Sequence, residues 1–414
     1  MDRKQWTIYG YFWIFGLINN VLYVVILSAA VDIVGPSLPK TIVLLADITP
    51  SLIIKLTSPF FIDKVRYEYR IFILIFLSAV GMFMVSLKSM ALCMVGIILA
   101  SISSGFGEVS FLQLTHYFEE VALNGWSSGT GGAGIIGSGV YMLLTSILKI
   151  PVTISLLLFS VMPFAFLLYF KLDRSSIHYT AVDDVSTNVL DTTTMQEGEE
   201  SIAENFNNTV RVSKTSEKNI FKNILQNFQD TLVDLRALVI PYMLPLTSVY
   251  LFEYLINQAV CPTLLFPLDG GHLPSFFHKY RDMYVTYGTL YQFGVFISRT
   301  LAHKFRMHNL YLLSFLQALN LIITLFQAWK YIVHVPWPIM ILIFYEGLLG
   351  GASYVNTFLN IMDEVEPAKR EFALGAVSIA DSSGVFVAAI IGLFLEPGIC
   401  RHQVSDGRPW CTLE

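Results

Sequence analysis

The chain has 414 residues, of which 54% are hydrophobic and only 14% are charged, and its mean hydropathy is +0.60. Soluble domains carry about 25% charged residues, so most of the surface of this chain cannot face water. A net charge of -5 and the lack of a basic stripe argue against nucleic-acid binding. The composition predicts an all-helical integral membrane protein.

Apolar stretches recur along the chain at the length of membrane spans. A spanning helix needs about 20 mostly apolar residues, because unpaired backbone groups are unstable in hydrocarbon. Eleven spans are predicted, near residues 7–31, 38–62, 70–87, 91–118, 128–149, 151–172, 235–263, 281–303, 308–331, 336–358 and 370–396. The first stretch could instead be a cleaved signal peptide, but its apolar run is about twice the usual length, which favours a helix.

These spans divide the chain into four parts. We predict a six-helix bundle over 1–172, a disordered linker over 173–234, a five-helix bundle over 235–396 and a polar tail over 397–414. Within the linker, Tyr179 and Val182 form a Tyr-x-x-hydrophobic pattern. Such patterns are typical of endolysosomal sorting signals, which predicts sorting adaptors as partners.

The charge of the loops predicts the orientation of the chain. Lys and Arg are more numerous in the loops on the side of the N-terminus, which places that side, with the linker, in the cytosol. An odd number of spans then puts the C-terminus in a lumen. Cys400 and Cys411 share the polar tail and could form a disulfide if that lumen is oxidising.

An internal repeat relates the two halves of the chain. Each matched segment of span n recurs in span n+6, and because six is even, the halves share one membrane orientation. That is the parallel repeat of major-facilitator transporters and predicts a two-bundle fold. The matches are Leu17-Ile18-Asn19-Asn20 with Leu255-Ile256-Asn257-Gln258, Lys55 with Arg299, Gly107 to Gln113 with Gly350 to Asn356, and Ser127-Ser128-Gly129 with Ser382-Ser383-Gly384.

Spans 5 and 11 each carry small residues four positions apart. This spacing places them on one helix face, where another backbone can approach closely. Two readings stay open: static helix packing, or a smooth surface over which one bundle rocks against the other. The residues are Gly129, Ala133 and Gly137 in span 5, and Gly384, Ala388 and Gly392 in span 11.

Seven ionisable residues interrupt the apolar spans. A charge at the bilayer centre costs at least about 2.5 kcal/mol, so such residues normally face protein or a water-filled cavity. They predict a polar interior between the bundles. The seven are Asp47, Lys55, Glu108, Glu253, Arg299, Glu346 and Asp381.

The two intramembrane cations occupy equivalent positions in the repeat. If Lys55 and Arg299 face one cavity, they suit an anionic group such as a phosphate or carboxylate. The alternative is that both side chains reach the cytosolic interface. Asp381 precedes Ser382-Ser383-Gly384 and is expected to bond span 11 to a neighbouring helix.

The three glutamates lie in spans 4, 7 and 10, which with span 1 line the cavity of major-facilitator transporters. Glu108, Glu253 and Glu346 could carry a proton, bind a cationic group of a substrate or pair permanently with Lys55 or Arg299. Span 1 adds Asn19 and Asn20 to this predicted cavity, and Asn257 is their counterpart in span 7.

The sequence contains no hydrolase or kinase pattern. The glycine-rich run from Gly129 to Gly134 lacks the ending of a nucleotide-binding loop, and the four cysteines lack metal-ligand spacing. We therefore expect no enzymatic activity, no cofactor and no metal. Transport without an ATPase domain would be secondary or facilitated.

Several segments together resemble the battenin family of lysosomal membrane proteins, whose loss causes juvenile neuronal ceroid lipofuscinosis. The matching segments are LSAAVDI (27–33), VLLADITPSLIIKL (43–56), SSGFGEVSFLQLT (103–115), WSSGTGGAG (126–134), EYLINQ (253–258), YQFGVFISR (291–299), YEGLLGGASYVNTF (345–358) and REFA (370–373).

The resemblance implies a major-facilitator-like protein of lysosomes and late endosomes. It implies a role in clearing glycerophosphodiesters, the deacylated products of phospholipid breakdown, and a link to lysosomal pH and basic amino acid handling. On this basis Lys55 or Arg299 would hold the phosphate. A carboxylate of Glu108, Glu253 or Glu346, with aromatics such as Tyr254, would hold an ammonium group.

Two features depart from the family, and two other functions stay open. The first lumenal loop is short, and the chain ends at Cys411-Thr412-Leu413-Glu414 rather than in a favoured prenylation box, so we expect Cys411 to pair with Cys400. The alternatives to glycerophosphodiester export are transport of basic amino acids or nucleosides, and a non-transporting regulator of lysosomal pH and trafficking.

Overall fold

The computed structural model describes residues 2–28, 40–87, 89–173, 229–268 and 277–412. Within these ranges the chain is helical, with no strand. The predicted sorting pattern at Tyr179 and Val182 and most of the predicted linker lie outside the described residues.

The first half forms six helical segments. Glu119 and Glu120 begin the fifth helix, nine residues before the predicted span, because acidic residues in a first turn complement the helix dipole and need no apolar environment. Pro163 interrupts the sixth, which continues as a tighter 3-10 helix over Met162–Lys171. The helices are α1 (Arg3–Ser28), α2 (Lys40–Thr57), α3 (Tyr67–Val85), α4 (Met90–Thr115), α5 (Glu119–Met142) and α6 (Val152–Phe159).

The second half forms the remaining helices. The seventh is already helical at residue 229, inside the predicted linker, and π-helical turns flank its central part at Val239–Met243 and Ile256–Val260. The last helix continues through Pro397 into the predicted tail. These helices are α7 (Leu244–Leu255), α8 (Tyr280–Leu301), α9 (Leu310–Lys330), α10 (Trp337–Glu364), α11 (Pro367–Val377) and α12 (Ile379–Ser405).

By length and composition, eight helical stretches of the described chain can cross a membrane. The other three predicted spans, α2, α5 and α8, are also helices, but they are richer in charged, small or hydroxyl residues. They pack between the bundles, α2 against α12 and α5 against α8. Their lower hydropathy follows from this location, because they face protein on several sides.

Helix pairing repeats between the halves. In the first half α1 packs on α5, and α2 and α3 pack on α4. In the second half α7 packs on α12, and α8 and α9 pack on α10. The contacts between bundles repeat in the same way, α2 with α12 and α8 with α5, since α5 corresponds to span 5 and α12 to span 11. The two halves are therefore parallel repeats, the arrangement of major-facilitator transporters.

The small-residue stripes pack helices within each bundle. A Cβ at Gly129 would lie 2.0 Å from the Trp13 carbonyl oxygen of α1, and one at Gly384 would lie 2.5 Å from the Thr247 carbonyl oxygen of α7. Both stripes therefore pack inside their own bundles in this structure, and not at the interface between the bundles. Other glycines of α5 face the second bundle: Gly131 meets Arg299, and Gly134 meets Gln292.

The polar tail is tied to the last helix. Cys400 and Cys411 form a disulfide with a Cα–Cα distance of 5.8 Å, as expected from the sequence. Gln403 and Arg408 hold the same region by donating hydrogen bonds to backbone carbonyls at the end of α9. We call the membrane face at the N-terminal end of α1 the N-side, and the face that carries this disulfide the opposite side.

Candidate functional site

A buried ionic cluster joins the bundles in the N-side half of the interface. The Nζ atom of Lys55 on α2 donates to Glu108 Oε2 at 2.6 Å and to Asp381 Oδ1 at 3.1 Å. It also donates to Ser382 Oγ at 2.8 Å. Lys55 is only 1% exposed. Because Glu108 belongs to α4 and Asp381 to α12, one cation neutralises carboxylates of both bundles.

Two aromatic residues extend this cluster. Tyr354 on α10 donates its hydroxyl hydrogen to Glu108 Oε1 at 2.9 Å, and Trp126 Nε1 on α5 donates to the Tyr354 hydroxyl at 3.1 Å. Both rings are buried. Each of these hydrogen bonds crosses between the bundles, so Glu108 accepts from its own bundle and from the other.

Arg299 lies on α8 at the position equivalent to Lys55. Its guanidinium donates to Thr130 Oγ1 at 2.6 Å and to the Tyr250 hydroxyl at 2.9 Å, and it lies 4.1 Å from the centre of the Tyr354 ring. Among the described residues no carboxylate forms an ion pair with it, and its buried Nε has no hydrogen-bond partner. Arg299 is therefore held by hydroxyls and a π face, which leaves its charge available to an anion.

The two cations thus make reciprocal contacts. Lys55 of the first bundle reaches α12 of the second, and Arg299 of the second bundle reaches α5 of the first. From the sequence, they could face either a cavity or the cytosolic interface. Both are buried between the bundles, and Lys55 contacts its carboxylate partners directly.

A second contact closes the N-side beyond the ionic cluster. Tyr67 and Tyr117 of the first bundle both donate to the Glu371 carboxylate on α11, at 2.7 and 2.5 Å. Burial, with Glu371 beside it, holds the pKa of the Tyr117 hydroxyl well above its usual value, so this group remains a donor. The N-side is sealed at two successive levels.

A cavity of about 270 Å³ lies between the bundles in the opposite half. The described residues that line it include no Lys, Arg, Asp or Glu. Four tyrosines, Tyr23, Tyr254, Tyr284 and Tyr291, line it with the side-chain amides of Asn257, Gln258 and Gln292. Tyr23 of α1 and Tyr254 of α7 line it from opposite bundles. The cavity is aromatic and polar but carries no formal charge.

Glu253 and Glu346 lie behind the cavity wall, inside the second bundle. Glu253 Oε1 accepts a short hydrogen bond from the Tyr291 hydroxyl. Asn257 Nδ2 donates to Glu346 Oε1 at 2.7 Å and to the Glu253 carbonyl oxygen at 3.2 Å. Both glutamates are buried, and the Oε2 of each has no hydrogen-bond partner. Tyr291 and Asn257 separate these carboxylates from the cavity.

Asn19 and Asn20, the predicted site residues of α1, lie away from the lining of the cavity. Asn19 Nδ2 donates to the Ser104 carbonyl oxygen at 3.1 Å and to Asn20 Oδ1 at 3.3 Å. A Cβ at Gly107 would lie 2.1 Å from Asn19 Oδ1. Asn19 thus joins α1 to α4, and neither asparagine is among the residues that line the cavity.

The structure therefore sorts the predicted site residues into groups. Lys55, Glu108 and Asp381 meet directly, Arg299 lies in the same layer, and Glu253, Asn257 and Glu346 form a separate cluster next to Tyr254 and the cavity. Within the described chain no group of three or more His, Cys, Asp or Glu could hold a metal ion.

Sequence reasoning missed most of the aromatic residues. Tyr250, Tyr354, Tyr23, Tyr284 and Tyr291 bond to the ionic groups or line the cavity, and Trp126 donates to the Tyr354 hydroxyl. In a chain with 20 Tyr and 31 Phe, an aromatic residue gives no signal by itself. The available signal was spacing: Tyr250 precedes Tyr254 by one turn, and Gln292 precedes Arg299 by two.

Comparison with known proteins gives the family of the chain. The sequence model of the family described as CLN3 protein matches residues 10–402. Protein BTN1 of Candida glabrata is 68% identical over 415 residues, and Protein BTN1 of Saccharomyces cerevisiae is 60% identical over 420 residues; both alignments cover all of each chain. The crystal structure of the E. coli fucose:proton symporter aligns with 98% of this chain and 93% of its own at 14% identity, with a TM-score of 0.49. The chain belongs to the CLN3, or battenin, family of multi-pass membrane proteins.

Proposed function

We propose that this protein is an endolysosomal secondary transporter that exports glycerophosphodiesters from the lysosome through the interface between its bundles. The main observation behind the proposal is that the interface between the bundles is closed on one side only. The bundles are sealed on the N-side by the Lys55 cluster and the Glu371 contacts, whereas an open cavity separates them on the opposite side.

One-sided closure supports alternating access. A solute that enters the cavity meets a floor of hydrogen bonds between bundles rather than a continuous pore. Passage requires that these bonds break while the opposite side closes. Parallel repeats provide two bundles that can rock against each other to do this. An ionic cluster that joins the bundles in one state only is suited to such a motion.

The chemistry of the site supports a zwitterionic phosphodiester. Tyrosine faces bind ammonium groups, and four tyrosines line the cavity. Arg299 lies two turns below Gln292 on the same face of α8, about 10 Å deeper. A guanidinium that has no carboxylate partner among the described residues suits a phosphate. The ammonium would thus meet tyrosines, because Glu108 is occupied by Lys55 and the other glutamates lie behind the wall.

The disulfide supports the proposed orientation. Disulfides persist in oxidising compartments, so Cys400–Cys411 favours a lumenal location for the opposite side. The cavity would then open to the lysosomal lumen, where phospholipid breakdown products arise. In this orientation the N-terminus and the linker face the cytosol, where sorting adaptors act.

The proposal is tested with purified protein in lipid vesicles. We expect saturable uptake of labelled glycerophosphocholine, competed by unlabelled glycerophosphoethanolamine and faster with a pH gradient. Labelled arginine and a nucleoside serve as the competing substrates. Flux of arginine without glycerophosphocholine would contradict the substrate, and flux of none of the three would favour a non-transporting regulator.

A further inference from the structure

The buried carboxylates Glu253 and Glu346 have an unusual environment for charged groups. They are 2% and 0% exposed, and among the described residues neither forms an ion pair. Each has one oxygen without a hydrogen-bond partner. An ionised carboxylate in such a site would lack both solvation and a bonded counter-charge, which is unfavourable.

The two side chains lie on facing helices, one turn apart. Glu253 Oε2 lies 2.1 Å from the position that a Cβ would take at Gly350 of α10. Glu346 is one turn before Gly350, and Asn257 is one turn after Glu253. The hydrogen bonds of Asn257 to Glu346 and to the Glu253 backbone close this unit. The carboxylates are close enough to repel each other when both are ionised.

No cation among the described residues bonds to either carboxylate. Arg299 interacts electrostatically with Glu253, but its guanidinium donates to Thr130 and Tyr250 and not to a carboxylate. Asp381 adds a further negative charge from α12. The other titratable groups that face the pair are neutral hydroxyls and a thiol: Tyr250, Tyr254, Tyr291 and Cys261.

A path of two side chains leads from the cavity to this pair. Tyr291 lines the cavity and donates to Glu253, and Asn257 lines the cavity and donates to Glu346. Asn257 lies in the π-helical turn Ile256–Val260. Such turns are frequent at functional sites because they shift side chains out of the regular helical register. A hydroxyl can pass on a proton, whereas the amide fixes the orientation of the second carboxylate.

We propose that Glu253 and Glu346 form a proton-binding pair that is loaded from the cavity and drives the transport cycle. The pair holds one proton in the state open to the opposite side and releases it when the cycle exposes the other face. Glu108 has no part in this step because its carboxylate is paired with Lys55. This inference rests on the proposed function and specifies which carboxylates provide the coupling.

The first test measures protonation directly and does not depend on transport. Infrared difference spectroscopy of the purified protein should show the carbonyl stretch of a protonated carboxyl group at neutral pH. We expect this band to lose intensity in Glu253→Gln and in Glu346→Gln. It should persist in Glu364→Gln, a control at the exposed end of the same α10 helix, where Glu364 accepts from Tyr242.

The second test separates coupling from transport. Glu346→Gln should keep exchange of labelled for unlabelled glycerophosphocholine at equal pH but lose acid-driven accumulation, by about tenfold or more. Tyr291→Phe keeps both carboxylates and should keep the infrared band while slowing acid-driven uptake. A band unchanged in both glutamate variants would overturn the proton pair even if transport is normal. A band that responds as expected without any flux would instead overturn the proposed function.

Discussion

Lys55 is a cation shared by carboxylates of two bundles, and its buried contacts determine how its removal would affect stability. Its amine contacts Glu108, Asp381 and Ser382, and the side chain is 1% exposed. Removal of one partner from a buried ion pair leaves an uncompensated charge, which is more damaging than the net value of the pair suggests. Here two carboxylates would be left without their cation.

We therefore predict that Lys55→Met lowers the stability of the protein by about 3–5 kcal/mol and weakens closure of the N-side. Thermal unfolding in detergent measures the first effect. Lys369→Met is the control, since Lys369 pairs with Asp234 at the exposed N-side surface, and it should leave the unfolding temperature unchanged. Equal unfolding temperatures for Lys55→Met and the parent protein would refute the role of the cluster.

Arg299 and Lys55 are equivalent in the repeat but not in chemistry. Arg299 donates from two nitrogens to two helices while its plane lies over Tyr354. A lysine would keep the charge but would not reproduce this fork or the contact with the ring. For the proposed phosphodiester, Arg299→Lys should raise KM about tenfold. Arg306→Lys, at the N-side surface beside Asp363, is the matched control. Equal KM values for both variants would exclude Arg299 from phosphate binding.

At the scale of helices, the glycines of α5 have two distinct uses. One face packs on α1 inside the first bundle, and the other meets α8 of the second bundle. The sequence showed that close approach was needed but not which neighbour approached. Only the arrangement of the neighbouring helices separates the Gly129 face from the Gly131 face. This is why spacing alone left the two readings open.

Gly129→Val should prevent correct assembly of the first bundle, because its Cβ would lie 2.0 Å from the Trp13 carbonyl oxygen. The backbone of α1 cannot move away without losing its other contacts, so we expect a loss of monodisperse protein in size-exclusion chromatography. Gly139→Val tests the same helix at a position with no atom within 4 Å of the added Cβ. That variant should behave as the parent does, and a normally assembled Gly129→Val protein would contradict the packing.

The disulfide between the end of α12 and the segment after it can be tested by counting reactive thiols. Protein that is unfolded without reductant should expose two thiols, Cys93 and Cys261, and protein that is unfolded after reduction should expose four. Cys411→Ser should expose three and destabilise the tail by about 2–3 kcal/mol. Four reactive thiols before reduction would mean that this side of the protein lies in a reducing compartment, against the proposed orientation.

At the scale of the whole molecule, the parallel repeat was the part of the fold most accessible to sequence reasoning. Paired segments such as Lys55 and Arg299, or Ser127-Ser128 and Ser382-Ser383, do occupy equivalent helices. The predicted helix ends were less accurate. The α5 helix begins at Glu119, before the apolar stretch that was predicted to span the membrane, and α12 continues through Pro397. The burial of all seven intramembrane charged residues could be predicted, because exposing a charge to lipid costs free energy.

The partners of these charges were not accessible in the same way. Lys55 meets a carboxylate more than 300 positions away, and Tyr354 links α10 to α4 and α5. Such contacts depend on how two bundles dock, which no local pattern encodes. The division into an ionic layer on the N-side and a neutral aromatic cavity on the opposite side therefore emerged only from the structure.

If solute passes between the bundles, they must separate on the N-side, and a reversible cross-link across this interface tests whether they do. Ser128 Oγ of α5 and Thr300 Oγ1 of α8 lie 3.0 Å apart across the interface. A Ser128→Cys, Thr300→Cys double variant should form a disulfide on oxidation that fixes the closed N-side. We predict that oxidation abolishes glycerophosphocholine flux in vesicles and that reduction restores it, while the two single variants transport under both conditions. Undiminished flux through fully cross-linked protein would contradict the account.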